Sequence, residues 1–439
     1  MKMNKLFTAT LLLFAAAASA QAPQQAPAQT LTDITRQQAE QLALKNNPRI
    51  SAAHLLALVM GQNTRIARSA ELPQVMTSIS AVDAANTSRI GDSPINPSRL
   101  FTYAGAGGSF QQLITDFGRT HFQVAAANLM QRAQESNALA TEQDILLATD
   151  QAFYRLLDAQ SLLDVAKAAV KSRTDSYSLA EALTKSKLKS DLDLNISAAD
   201  LSQAQLLQLD AENAVASAQY ALAYLLGDTG NPVYHAVEDA SALPPPPQFT
   251  NALLDEAHAQ RPDLRALQFQ TSADLENFKA QRAQNYPVIT ANAVGGIIPV
   301  RTDTYFTQNW YAAGGVNLTL PAFTGFRISA QTKQAKLQQL SDDKLRADLQ
   351  NSIDSQLKKA VLNLHTAWDR ITVTEKFETE ANQAYALATT RYKLGLSSIV
   401  ELSQAELQST QASVAAVNAR YDYLMAERSL DYQRGLLTQ

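Results

Sequence analysis

The sequence predicts a mainly α protein with a minor β component, elongated and built from two copies of one plan. Three observations predict it. Between Gly118 and Gly227 there is neither glycine nor proline, and the same holds between Gly325 and Gly395. Helix interiors exclude both residues, and few loops avoid them for so long. Two pairs of short segments rich in Val, Ile, Thr, Tyr and Gly interrupt this helix-forming composition. Finally, short motifs recur in the same order in the two halves of the chain.

The N-terminus has the form of a cleaved secretory signal over residues 1–20. Lys2 and Lys5 precede the apolar run Leu11 to Ala18, and Ala18-Ser19-Ala20 supplies small residues for cleavage before Gln21. The run is too short for a membrane anchor, which needs about 20 apolar residues. Residues 21–31 form a Gln/Ala/Pro tail expected to be flexible. The first repeat is placed at 32–240. It opens with a helix from Asp33 to Leu72, continues with a hairpin over 74–113 (strands Gln74–Ala84 and Thr102–Leu113), and then runs through long helices over 119–226. A Pro-rich linker at 241–249 contains the tetraproline Pro244 to Pro247, which favours a stiff extended connection. The second repeat, 250–435, has a helix from Thr250 to Asn285, a hairpin over 288–320 (Val288–Val300 and Trp310–Leu320) and helices over 327–433.

Four matches carry the duplication. Asn47-Pro48 returns as Arg261-Pro262, and Leu72-Pro73 as Tyr286-Pro287. Asp116-Phe117-Gly118-Arg119 faces Thr324-Gly325-Phe326-Arg327. Ile196-Ser197-Ala198-Ala199-Asp200-Leu201 is matched to Leu402-Ser403-Gln404-Ala405-Glu406-Leu407. In the helical stretches, Leu146, Phe153, Leu156, Leu163 and Val170 form a coiled-coil seam, as do Leu357, Val361, Leu364, Trp368 and Ile371, then Val414, Val417, Tyr421 and Leu424. A helix from Arg119 to Lys185 would be about 100 Å long at 1.5 Å per residue. No compact domain is that long, so the helices must build a rod or a tube.

The strand segments have about the 9–11 residues that a tilted membrane strand needs. Tyr103, Phe110, Tyr305, Trp310 and Tyr311 are candidate interfacial aromatics. Such strands also occur in soluble β-structure, and at this point both placements stand. Four strands cannot close a barrel, an unclosed edge cannot survive in lipid, and the smallest known membrane barrels have eight strands. A membrane placement therefore demands an oligomer, and three copies give twelve strands.

The order of helix, hairpin, long helix, broken helix and linker, repeated once, resembles the TolC family of outer-membrane efflux and secretion proteins. The carrying residues are Asn47-Pro48, Asp116-Phe117-Gly118-Arg119, Pro321-Ala322-Phe323-Thr324-Gly325-Phe326-Arg327 and Arg391-Tyr392-Lys393-Leu394-Gly395, within a match from Leu31 to Gly435. The resemblance implies a homotrimer with four transmembrane strands per chain, a 12-stranded barrel continuous with a coiled-coil α-helical barrel. It implies an outer-membrane location with a long periplasmic extension. It further implies partners: outer-membrane lipid, a periplasmic adaptor, and an inner-membrane pump of RND, ABC or MFS type. The chain would then be the exit duct of a tripartite efflux pump or type I secretion system.

By the same resemblance Gly395 breaks the second long helix near the closed end, with Lys189 as its counterpart in the first copy. Glu401 would ring the pore with carboxylates, and Gln404 stands where a second acidic ring is expected. Asn195 is the counterpart of Glu401, with Asp193 and Asp191 adding negative charge, and Tyr392 would hydrogen-bond between neighbouring helix pairs to hold the entrance shut. Clustered carboxylates in a narrow pore repel anions and attract cations. Read without the family, Glu401 is a solvated helix-surface residue and Tyr392 ordinary helix-end packing.

The absence of cysteine excludes disulfides, thiolate metal sites, cysteine nucleophiles and the lipid-modified cysteine that many such channels carry. A net charge of -4 with no basic block leaves no footprint for nucleic acid. The five histidines are scattered, the glycine clusters lack phosphate-loop spacing, and no catalytic triad pattern occurs, so neither a metal, a cofactor nor an enzyme is expected. The competing classes are a periplasmic adaptor, which would carry one helical hairpin between compact β domains, and a structural coiled-coil rod, which leaves the matched hairpins unexplained.

Overall fold

The computed structural model describes residues 31–83, 85, 89–90, 98–99, 102–228, 233–238, 243–301 and 308–437. The expected signal segment, nearly all of the N-terminal tail, most of both strand-tip loops and Tyr305 lie outside the described residues.

The first repeat starts with β1 (Leu31–Ile34), α1 (Arg36–Asn46) and α2 (Pro48–Ser69). The single helix expected from Asp33 to Leu72 is thus a strand and two helices. Thr35 and Gln38 form a capping box that starts α1, and Asn47 caps α2 with Pro48 in its first turn. Next come β2 (Gln74–Val82), the two-residue strands β3 (Arg89–Ile90) and β4 (Ser98–Arg99), β5 (Tyr103–Thr115), α3 (Arg119–Lys185), α4 (Asp191–Leu225) and β6 (Val233–Ala236). The second repeat holds α5 (Asn251–Gln260), α6 (Pro262–Ala283), β7 (Val288–Arg301), β8 (Trp310–Thr319), α7 (Arg327–Lys393) and α8 (Ile399–Arg434).

The duplication is quantitative. Helices α3 and α7 both have 67 residues, and each of the pairs α3/α7 and α4/α8 begins 208 positions apart. The two residues before each long helix have positive φ, Phe117 and Gly118 in one copy and Gly325 and Phe326 in the other. Asn47 Nδ2 donates to the carbonyl of Leu225 at the end of α4 (2.8 Å), while Arg261 donates to Gln433 near the end of α8 (2.6 Å). The short sheet in which β1 pairs in parallel with β6 belongs to the first copy.

Buried alanines recur at multiples of seven residues along the seams: Ala204 and Ala211 on α4, Ala412 and Ala419 on α8, and Ala360, Ala367, Ala381 and Ala388 on α7, with Thr374 in the gap. Methyl-sized side chains at heptad spacing let long helices approach closely without bulky knobs. Larger side chains collect midway. One cluster includes Phe153, Leu156, Leu222 and Tyr234, and another Leu264, Ile353, Leu357 and Leu364. Between them the tetraproline strap is fastened by Tyr423, which donates to the carbonyl of Pro244, and by His365 against the carbonyl of Pro247. A charged knot joins α8 to α3 and α1. Arg428 donates to Asp150 (2.7 Å), Asp431 (3.0 Å) and Glu40 (3.3 Å), and Asp150 is fully buried.

The sheet order is β2-β5-β7-β8, antiparallel throughout, with β2 and β8 as open edges. Register puts Val75, Phe110, Ala293 and Gly314 in one cross-strand row, with Ile79, Ala106, Ile297 and Trp310 in another on the same face. That face is apolar apart from Thr77 and Gln112. The opposite face carries Gln74, Ser78, Ser80, Ser109, Gln111, Thr290, Asn292 and Asn317. Strands β2 and β8 are exposed over nearly their whole length, and the helices do not pack on the sheet as a layer. Among the candidate interfacial aromatics, Phe110 and Trp310 lie on the apolar face, whereas Tyr311 lies on the polar one. A Cβ on Gly107 would stand 2.2 Å from the Tyr311 hydroxyl, and one on Gly296 would stand 2.7 Å from it. Glycine there makes room for the ring to lie across the strands.

The helical layer has the same two-edged form. In the lower part α3 packs on α4 and α8, and α8 on α7; in the upper part α3 packs on α2 and α6, and α6 on α7. One edge is therefore α2 and α4, and the other is α7. Both carry large exposed apolar side chains, including Leu55, Leu58, Leu206 and Leu209 on the first edge and Leu337, Leu362, Val373 and Leu387 on the second. Among the described residues no helix is long and apolar enough to cross a membrane.

Candidate pore entrance

The site lies at the far tips of the helical hairpins, where α3 turns into α4 through residues 186–190 and α7 into α8 through 394–398. Each long helix ends in a Schellman turn. Leu188 N–H donates to the Leu183 carbonyl and Leu396 N–H to the Arg391 carbonyl, across a left-handed residue, Lys187 (φ 60°) or Gly395 (φ 73°). Lys187, not Lys189, is therefore the counterpart of Gly395. The six-residue match of Ile196–Leu201 to Leu402–Leu407, at an offset of 206, is slipped by two, because so short a similarity cannot outweigh helix ends that coincide at 208. A side chain in the left-handed region costs about 1–2 kcal/mol. Gly395→Ala is expected to lower stability by about 1 kcal/mol. Lys187→Gly should raise it by less, since glycine also loses more backbone entropy on folding. Thermal unfolding of the two variants checks both signs.

The second helices begin alike. Ser190 Oγ accepts the Asp193 N–H (3.4 Å) and Ser398 Oγ accepts the Glu401 N–H (3.3 Å). Asp193, not Asn195, is thus the structural counterpart of Glu401. Both are acidic residues in a first helical turn, where the helix dipole favours negative charge. This capping role explains why an acid stands there and was legible in the Ser-x-x-Asp and Ser-x-x-Glu spacings.

Glu401 is about half exposed and pairs with Arg391, Nε to Oε1 3.0 Å. The Glu401 carboxylate therefore carries a counter-charge from its own chain, which the family resemblance did not suggest. Gln404 and Asn195 are exposed, and Asp193 is half-buried. Tyr392 is fully buried among Ala388, Ile399 and Leu402, with Leu183 and Ile196 of the other hairpin against them. The described residues offer its hydroxyl no hydrogen-bond partner. Burial, then the charge of Asp193, raises its pKa. Lys189 closes over the ring at 4.7 Å and donates to the Ser397 carbonyl at 3.2 Å. Tyr392, Asp193 and Lys189 thus come together across the two tips, whereas Glu401 is held by its own hairpin.

Above the tips lies a polar cluster that the sequence reading did not single out. Arg173 of α3 reaches Asp200 of α4 and Glu406 of α8, each at 3.2 Å. Ser176 donates to the same Glu406 carboxylate (2.5 Å), as does Ser172 (3.3 Å), which also bonds the hydroxyl of Tyr385 on α7 (2.8 Å). Burial raises the Glu406 pKa, opposed by Ser176 and Arg173. Beside the cluster α4 and α8 diverge around a cavity of about 540 Å³ floored by Ala169 and Arg173. Periodicity held the clue: Arg173 stands where the series Ala152, Ala159, Ala166 and Ala180 calls for alanine. Among the described residues no group of three His, Cys, Asp or Glu side chains could hold a metal ion.

A family model described as outer membrane efflux protein matches residues 39–228 and 253–434. The outer membrane efflux protein BepC of Brucella suis biovar 1 is 25% identical over 405 residues, covering 90% of this chain and 84% of that one. The outer membrane protein TolC of Vibrio cholerae is 22% identical over 427 residues, covering 94% and 92%. Among solved structures, CusC superposes with a TM-score of 0.80 at 17% identity over 95% of each chain. The open state of the Neisseria gonorrhoeae MtrE outer membrane channel gives 0.75 at 22% identity, covering 91% of this chain and 89% of that one.

Proposed function

The chain belongs to the outer membrane efflux protein family, and from that premise we propose that three copies close into one outer-membrane channel, the exit duct of an efflux or secretion assembly. The observation that carries the reading is the sheet. It has two open edges, one apolar face and one polar face, and no helical layer on either. In water such a sheet would have neither core nor closure; in lipid it must close, with its apolar face outward. Joining β8 of one copy to β2 of the next, and α7 to α2 and α4, uses different surfaces on each side. Such head-to-tail contacts form rings when the rotation closes. Three copies give twelve strands above a tube of helices.

The tube extends into the periplasm, and the chain is exported by its cleaved signal. A periplasmic adaptor and an inner-membrane pump of RND, ABC or MFS type supply energy and choice of cargo; the duct is passive. Gly395 sets the turn at the entrance, and Tyr392 holds the tips together with Lys189 and Asp193. Glu401 and Asp193 face the axis with Gln404 and Asn195 beside them. The adaptor reading lacks its compact β domains among the described residues, and the rod reading leaves the sheet without purpose.

The test is fractionation with unboiled gel migration of the mature protein. An outer-membrane trimer that dissociates on heating is expected; a soluble periplasmic monomer would end the reading. In planar bilayers Glu401→Ala is expected to reduce cation preference at least twofold, because the carboxylate goes while Arg391 stays. Unaltered selectivity removes Glu401 from the pore lining.

A further inference from the structure

We infer that Arg119 and Arg327 of three subunits form a ring of six guanidinium groups on the lumenal wall, where the helical tube meets the barrel, and that this ring draws small anionic solutes to the base of the barrel. The inference rests on the channel reading.

The placement comes from a cavity at the junction. Arg119 and Gln123, one turn apart on α3, line a space of about 320 Å³ together with Gln74, Gln111, Leu113 and Thr290. Gln74 pairs with Gln111 and Leu113 with Thr290, and both rows lie on the polar face of the sheet. Arg119 therefore stands beneath the face that turns to water when the barrel closes. Among the described residues no carboxylate pairs with it. The adjacent acid, Asp116, is buried at 8% exposure, and its carboxylate accepts the N–H and the hydroxyl of Thr120 instead.

The duplication repeats the feature. Arg327 stands 208 positions on, at the start of α7, and donates to Gln331 (3.1 Å), the counterpart of Gln123. The counterpart of Asp116 is Thr324, so the second copy has the arginine without the acid. Beside β8, strand β2 of the next subunit takes the place that β7 holds beside β5, and the second cavity is complete only in the assembled ring. Above the arginines the wall is neutral. In the polar-face rows from Leu113, Thr290 and Asn317 up to Ser78, Gly107, Gly296 and Tyr311, no side chain is charged. A guanidinium stays charged at any working pH, and rings of arginine in a pore concentrate anions. The duct is then bipolar, with the carboxylates of Glu401 and Asp193 at its entrance and guanidinium groups at the foot of its exit.

The chain has no cysteine, so one introduced thiol reports the potential around it. The probes are two methanethiosulfonates, one ending in a sulfonate and one in a trimethylammonium group, each rate taken relative to that of free 2-mercaptoethanol. In the purified trimer of Gln123→Cys at 0.1 M salt, where the screening length is about 10 Å, the anionic reagent is expected to be favoured by about fivefold or more. At 1 M salt, where that length is about 3 Å, the preference should fall to within about twofold. Ser80→Cys, about 20 Å up the same wall at 3.3 Å per residue, should show no preference at 0.1 M. Adding Arg119→Gln with Arg327→Gln to Gln123→Cys should remove the preference, and Arg119→Lys should keep it. A thiol at position 123 that reacts equally with both reagents, or with neither, overturns the proposal, and so does a preference that survives loss of both arginines. The salt series needs no arginine variant and decides the matter even if the double substitution fails to assemble. Absence of a heat-dissociable trimer in the native chain would sink the channel reading itself, a result distinct from a trimer without the preference.

Discussion

Ala312→Arg is expected to cost each subunit about 2–4 kcal/mol and to prevent stable insertion, whereas Ala313→Arg, one residue further on, is expected to be close to neutral. The two positions are consecutive on the edge strand β8, and both are exposed in the single chain. Their rows differ. Ala312 pairs with Gly295, in the row of Gly108 and Thr77 on the apolar face; Ala313 pairs with Val294 on the face that carries Ser109, Asn292 and Asn317. Both rows cross the middle of β7, at Gly295 and Val294, and a guanidinium facing hydrocarbon is costliest at mid-depth. A guanidinium facing a water-filled lumen keeps its hydration. The heat-dissociable trimer band of each variant after expression decides the matter. Loss of the band in both, or in neither, would mean that the faces are not divided between lipid and water.

The second large effect is expected at Arg428. Arg428→Ala should lower stability by about 3–5 kcal/mol, because it strands carboxylates that were buried around one cation. Asp150 is fully buried, and Glu40 and Asp431 share the same guanidinium. Burial pushes the Asp150 carboxyl up to about 7 from its ordinary 3.8, with Glu40 adding to the rise and Arg428 opposing it. A carboxyl whose pKa is higher in the folded chain favours folding while it is protonated. Its contribution is complete below about pH 4 and is lost as pH rises through about 7. The denaturant midpoint of the native protein should therefore carry a component that declines over that interval. Asp150→Asn should flatten this component, while Arg428→Ala should steepen it. A pH profile identical in the native protein and Asp150→Asn would refute the assignment.

The long helices were legible because their signal is exclusion. No glycine or proline occurs in either stretch, and the start at Arg119, the end at Lys185 and the start at Arg327 follow. The strands were legible to within two or three residues, since β-branched and aromatic residues contrast with the Ala/Gln/Leu background. The opening of the first repeat was less so. Leu31 to Ile34 is four residues long and pairs with Val233 to Ala236 two hundred positions away, so no local pattern announces it. The break at Asn47-Pro48 was visible, yet helical composition on both sides masked it.

At the entrance the residue types were legible and their equivalences were not. Similarity of short words paired Glu401 with Asn195; cap geometry pairs it with Asp193, because Ser190 and Ser398 start both helices. The partners Arg391 and Lys189 come from the preceding helix and from the other hairpin, and sequence spacing does not reveal such distances. The buried Arg173 cluster was hidden for a related reason. Glu406 lies more than two hundred residues beyond Arg173 and Asp200, on a third helix, and each member alone looks like a surface charge.

The equal spans of α3 and α7 constrain how this chain can change over generations. Excising one heptad from a single hairpin would leave a notched mouth, with three tips about 10 Å short of the other three. The gap would admit water wherever the tips no longer meet. Growth or shrinkage of the duct must therefore arrive as twinned events, one in each half of the gene, and a lone length change in either half should be purged even where the fold itself survives it.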